Sequence, residues 1–335
     1  MKRIWSILCL MVLLILSSIL TVVSCSPKGY SGKMETLTIA IPHNEINALL
    51  YIAEAQNFFV SNGLDVTLKE NYDSGATATA GMLKGEAEIS AATDFLMARQ
   101  ILDKTSLISV VCIDRYETTY IMWRTDSRIK TMQDLKGKRI GVPLQTIGEF
   151  HLGRTLELNG IHLDQVTFVD VRSTDSEKAL VNKEFDAVVT WEPFVTSINQ
   201  HLAENVVALP IQNTQPAYWN LVSSPEWINS HTETIKRLVK SLAQAENYLS
   251  SHESEARKTL QKRMNWSDTQ ILSIWSQNQF SLSLDQPLIL AMEEEARWMI
   301  SNNLTTGKQV PNFLDYIYSD ALKSVKPGAV RITGK

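Results

Sequence analysis

From Leu37 to Val222 this chain alternates short β-rich runs with stretches of helical periodicity, an order few architectures accept. Leu37 to Ile41, Leu64 to Leu68, Glu88 to Ala92, Leu107 to Ile113 and Tyr120 to Trp123 read as strands. Ile46 to Val60 carries Leu49, Leu50, Ile52, Ala53 and Phe59 at helical spacing and stops at Asn62-Gly63. Ser74 caps a helix running to about Lys84, ended by Gly85, and Phe95 to Leu102 is a third helix. Strands separated by such helices build βαβ units with right-handed crossovers and a parallel sheet.

A second block of the same kind begins near Thr131. A helical turn at Met132 to Leu135 leads into strand Arg139 to Val142. Helix Gly148 to Leu158, strand Val166 to Val169, helix Ser176 to Asn182, strand Ala187 to Thr190, helix Pro193 to Leu202 and strand Val206 to Leu209 follow. Tyr218 to Val222 returns the chain to the first block. The remainder is helical: Thr232 to Leu249, Ser254 to Met264, Ser267 to Gln277, Leu288 to Asn302 and Asn312 to Leu322.

Ahead of this body stands an export signal. Lys2 and Arg3 precede an apolar run from Ile4 to Val23, ending in Val22-Val23-Ser24-Cys25. Cysteine after Val-Val-Ser resembles the lipobox of bacterial lipoproteins. That likeness implies cleavage of residues 1–24, acylation of Cys25, and a protein held outside the cytoplasm on a membrane surface. The run is also about long enough to stay as a spanning anchor, and ordinary secretion is a further alternative. Residues 25–35 read as a polar tether.

Composition narrows the function. The apolar share of 44% and charged share of 20% are those of a globular protein. Formal charge is −4 and becomes −6 once Lys2 and Arg3 leave, without a basic stripe, which argues against nucleic acid. Of three cysteines only Cys112 stays in the folded body, so a disulfide within the monomer is not expected. Metal-site spacing, a Walker loop and a nucleophile elbow are missing, and no cofactor is expected.

Three segments carry a family resemblance. Ala53-Glu54-Ala55-Gln56-Asn57-Phe58-Phe59 with Asn62-Gly63-Leu64-Asp65-Val66, then Asp134-Leu135-Lys136-Gly137-Lys138-Arg139-Ile140-Gly141-Val142, then Asp186-Ala187-Val188-Val189-Thr190-Trp191-Glu192-Pro193 occur in order. Together they resemble the substrate-binding lipoproteins of ABC importers for nitrate, sulfonates, taurine and thiamine-pyrimidine precursors. Asn57 departs from a usual glycine, and Glu88 stands where aspartate is common.

The resemblance implies an α/β fold of the type II periplasmic-binding-protein kind: two lobes, each a mainly parallel sheet flanked by helices, joined by a two-stranded hinge. Lobe one would comprise 36–123 plus 212–335 and lobe two 124–211. It implies a monomer that closes on a small solute and presents it to permease and ATPase subunits. The solute would be sulfonate- or taurine-like, or an aminopyrimidine-like heterocycle. A sensor domain, or a pyrimidine-synthase-like enzyme of the same fold, is the rival reading.

Ligands of open α/β sheets sit beyond the carboxyl ends of strands, which selects five loops. His43 and Asn44 follow the first strand. Ser74, Gly75, Ala76 and Thr77 open a helix whose amides favour negative charge, though Ser74 also suffices as a plain cap. Thr93 and Asp94 follow the third strand. Thr146, Gly148 and Glu149 form the counterpart turn in lobe two; Glu149, if it faces the cleft, disfavours anions. Trp191 offers a flat wall and Glu192 an acceptor. Tyr116, and Trp219 with Asn220, are further candidates. The two acids and several aromatics tilt the expectation toward an amine-bearing heterocycle over a bare anion.

Overall fold

A computed structural model describes residues 30–211 and 215–333. The expected export signal and Cys25 lie outside the described residues. Among the described residues, no helix is long and apolar enough to cross a membrane.

Two five-stranded sheets form the body. The first contains β1 (Glu35–Pro42), β2 (Leu64–Tyr72), β3 (Ile89–Thr93) and β4 (Ile108–Tyr116). The chain then crosses to the second sheet, made of β5 (Tyr120–Arg124), β6 (Arg139–Val142), β7 (Thr167–Asp170), β8 (Ala187–Thr190) and β9 (Val206–Pro210), and returns as β10 (Ala217–Ser223). The orders are β2-β1-β3-β10-β4 and β7-β6-β8-β5-β9.

Most strands are parallel, as βαβ connections require. The exceptions are β10, antiparallel to β3 and β4, and β5, antiparallel to β8 and β9. Each is the strand by which the chain enters a sheet from the other lobe, so each arrives reversed. The two crossings touch where the Ile211 amide donates to the Thr119 carbonyl at 3.0 Å.

Lobe one carries α1 (Ala48–Ala55), α2 (Phe58–Ser61), α3 (Gly75–Leu83) and α4 (Asp94–Leu102); lobe two carries α5 (Ile147–Leu158), α6 (Ser176–Val181) and α7 (Phe194–Leu202). After β10 come α8 (Pro225–Ser230), α9 (Thr232–Ser251), α10 (Glu253–Met264), α11 (Asp268–Trp275), α12 (Gln286–Ser301) and α13 (Asp320–Val325), all on lobe one.

Period-two alternation explains the second sheet's two cores. Ile121 and Val189 point to one face with Ile140, Leu152 and Leu156; their neighbours Met122 and Val188 point to the other with Leu180, Val195 and Ile198.

Two expected helices are broken. Ile46 to Val60 divides into a 3₁₀ turn at Glu45–Asn47, then α1 and α2, because Asn57 takes φ 56°. Asparagine tolerates that left-handed region better than most residues, and glycine better still, which accounts for the glycine at this place in the resembling family. Asn312 to Leu322 becomes a 3₁₀ turn at Phe313–Tyr316 followed by α13. Between them Ile317 lies extended beside Ser109, and the Tyr318 amide donates to the Ser109 carbonyl at 2.8 Å. That pairing covers an exposed strand edge, a gain that helical periodicity alone does not register.

Candidate functional site

The carboxyl ends of both sheets meet across a cavity. Asn44 and Glu45 follow β1; Ser74, Gly75 and Ala76 open α3; Thr93 and Leu96 come from the β3–α4 junction. Tyr116, Thr118 and Thr119 line it from the crossing, Gln145, Thr146 and Ile147 from the start of α5, Trp191 from beyond β8, and Trp219 from β10.

Local structure fixes these walls. Ser74 and Thr77 form a capping box, the Thr77 amide donating to Ser74 Oγ at 3.3 Å, which presents Gly75 and Ala76 inward. Gly75 is required for close packing: a Cβ there would stand 2.8 Å from Trp219 Cη2 and 3.0 Å from the Ala91 carbonyl oxygen. Trp219 Nε1 donates to Asn47 Oδ1 at 2.8 Å, and Asn47 Nδ2 donates to Asn44 Oδ1 at 2.7 Å. A side-chain relay therefore holds the indole and the Asn44 loop as one wall.

Several sequence candidates have other duties. His43 stays outside the wall, paired with Glu70. Thr77 is exposed and spent on its cap. Asp94 is fully buried beneath the cavity, facing Glu295; burial raises both carboxyls, and their mutual repulsion adds to it for Glu295. Gly148 sits behind Trp191, where a Cβ would stand 3.5 Å from Cζ3. Glu149 accepts from the Gln145 amide at 2.8 Å and lies 3.4 Å from Arg99 Nη1. It stabilises Gln145 at φ 64°, joins the two lobes, and is not among the residues that line the cavity. Glu192 accepts from the Thr196 amide at 3.1 Å, capping α7 just after a cis Glu192–Pro193 bond. Asn220 accepts from Ser109 Oγ at 3.0 Å within the sheet.

Glu45 escaped the sequence reading. It is 2% exposed, and its Oε2 has no hydrogen-bond partner. Burial pushes its carboxyl up to about 8, with the charge of Glu192 adding to the rise. Asp114 is raised by burial and next by Glu45, and the Tyr116 hydroxyl by burial and the surrounding acids. Among the described residues, the wall carries no lysine, arginine or histidine. The starts of α3 and α5 supply the positive side, each worth about 0.3–1 kcal/mol to an adjacent anion.

The family model described as NMT1/THI5 like matches residues 44–256. The chain belongs to this family. A thiamine biosynthesis protein, so named, of Haemophilus influenzae is 24% identical over 217 residues, covering 64% of this chain and 68% of that one. A protein of Brucella abortus named as a binding protein is 29% identical over 133 residues; the match spans 38% of this chain and only 41% of the relative.

Among solved structures, the alkanesulfonate-binding protein of Xanthomonas axonopodis pv. citri bound to MOPS superposes with a TM-score of 0.74 at 17% identity, covering 86% of this chain and 100% of that one. The desulfurization enzyme DszB superposes at 0.63 with 16% identity, over 88% and 99%. At such identities the likeness concerns the fold: this family member has the two-lobed periplasmic-binding-protein architecture.

Proposed function

We propose that this protein is an extracytoplasmic receptor that captures a small organic solute between its lobes and delivers it to an ABC importer without transforming it. The observation that carries this is the inter-lobe cavity at the carboxyl ends of both sheets, walled by Tyr116, Trp191 and Trp219. Its wall holds flat aromatic surface and a few polar groups, the usual makeup of a small-molecule site. Binding energy spent across the gap holds the lobes together, and the closed form is the one a permease would engage.

Within this reading an N–H-bearing, aminopyrimidine-like heterocycle suits the cavity better than a bare sulfonate, because Glu45 is an acid without a cationic counterpart on the wall. The names of the thiamine and alkanesulfonate relatives bracket the same two classes. Anchoring through an acylated Cys25 completes the proposal.

Mass spectrometry of small molecules copurifying with the full chain, followed by scattering on the emptied and refilled protein, tests it. The expected result is a bound organic solute whose return reduces the radius of gyration. A radius unchanged across a broad metabolite panel overturns it. Cys25→Ser should move the protein from the membrane fraction to the soluble one.

A further inference from the structure

The geometry points to Glu45 as a recognition carboxylate that selects a positively charged solute, an ammonium or amidinium group seated against its Oε2 inside the inter-lobe cavity. This rests on the receptor reading but replaces its neutral aminopyrimidine-like solute with one that carries a positive charge. Three observations converge on it.

First, Glu45 is buried and lines the cavity, yet Oε2 has no donor. A buried carboxyl with a free oxygen at an otherwise hydrogen-bonded wall is costly, and a ligand N–H donor is the group that would satisfy it. The 3₁₀ turn at Glu45–Asn47 is pinned by Asn47, whose Nδ2 donates to the Pro42 carbonyl at 2.8 Å and to Asn44, so the Glu45 backbone cannot swing away cheaply.

Second, acids surround it. Glu192, beyond β8, adds its charge to Glu45; Asp114, on β4, feels Glu45; and Tyr116, which lines the cavity beside Glu45, feels Asp94, Asp114, Glu45 and Glu295. Arg115 partly offsets the rise at Asp114 but is not among the residues that line the cavity, and it lies 3.7 Å from Asp285. No basic side chain among the described residues lines the cavity to offset this field.

Third, Trp191, Trp219 and Tyr116 supply ring surfaces that attract cations as well as flat molecules. The helix starts at Gly75 and Ile147 then receive an acceptor edge of the same ligand.

Titration calorimetry of the full chain in detergent with benzamidine, 4-aminopyrimidine and ethanesulfonate is the test. Benzamidine is expected to bind best. Its affinity should rise between pH 6 and pH 8.5, because ionisation of Glu45 favours the cation, whose own charge does not change over that range. Glu45→Gln, which keeps the shape, should weaken benzamidine by about 10–100-fold and flatten the pH dependence. Absence of benzamidine binding, tighter binding of either other probe, or equal affinity in Glu45→Gln overturns the proposal. Compaction in scattering with ethanesulfonate or 4-aminopyrimidine would do so while leaving the receptor reading intact.

Discussion

Gly153 of lobe two lies directly against the Trp298 indole of lobe one, so closely that a methyl group at Gly153 would overlap the ring. The contact belongs to a seam built by α5. Leu152 and Leu156 face their own sheet, while Ile147 and Phe150 join the core of lobe one, Phe150 lying 5.4 Å from Trp298 and 5.7 Å from Phe95 between ring centres. Trp298 Nε1 donates to Glu157 Oε1 at 3.0 Å, and Arg154 pairs with Glu294 at 3.3 Å.

A leucine at position 153 should therefore cost about 1–3 kcal/mol through overpacking. Calorimetry should show a lower Tm for Gly153→Leu, and scattering a larger radius. An unchanged Tm would mean that α5 and α12 do not touch in solution.

The two glycines at the cavity should respond differently. Gly75→Ala drives a Cβ into both the Trp219 ring and a backbone carbonyl, so solute affinity should fall about tenfold or more. At Gly148 the nearest atom to a new Cβ is Val189 Cγ1 at 3.2 Å, a side chain that can yield, and alanine there should cost less. Calorimetric titration of the copurified solute into both variants checks the order; a reversed order would show that Trp219 does not bound the occupied site.

A second contact joins the lobes next to Ser74. Ser173 Oγ donates to the Asp73 carbonyl at 3.1 Å, and Arg172 lies 3.8 Å from the Asp73 carboxylate. The ion pair is exposed and worth little, but the hydrogen bond contributes about 0.5–1.5 kcal/mol. Ser173→Ala should speed solute release about 2–10-fold in stopped-flow measurements, with little change in Tm. Release at the wild-type rate would remove Ser173 from the closure.

Stability should decline as pH rises from about 6.5 to 9. Burial raises the carboxyls of Glu45, Asp94, Asp114 and Glu295 above their unfolded values, so in that window the folded chain holds protons that the unfolded chain has released. Their contribution is present at low pH and lost on the alkaline side. His151 works the other way: burial lowers it to about 3, but that effect is complete above the ordinary histidine range. Glu295→Gln should flatten the alkaline slope in thermal melts; an unaltered slope would show that this pair does not hold its proton.

How much of this was legible in the sequence depended on how local each cause was. The strands of both sheets and the cap at Ser74 are written in neighbouring residues, and the loops bearing Asn44, Gly75, Thr93, Thr146 and Trp191 do reach the cavity. What stayed hidden depends on distant partners. Asp94 is buried off the cavity wall among the backbone amides of Tyr218 and Phe95, with Glu295 beside it, and Glu149 turns to Arg99 across the lobe boundary. Glu45 stood just ahead of the helix expected from Ile46 and carried no signal of its own, whereas in the fold β4, with Asp114 and Tyr116, packs against its turn.

The position of β10 between β3 and β4 sets a temporal order on assembly. Every strand of the second sheet is encoded within residues 120–210, whereas the first sheet lacks an interior strand until residue 223 has been made. As the polypeptide emerges from the ribosome N-terminus first, the segment begun earliest must wait with a gap in its middle while the later one can already be whole. Any holdase that escorts this chain would find its target in the unfilled slot between β3 and β4.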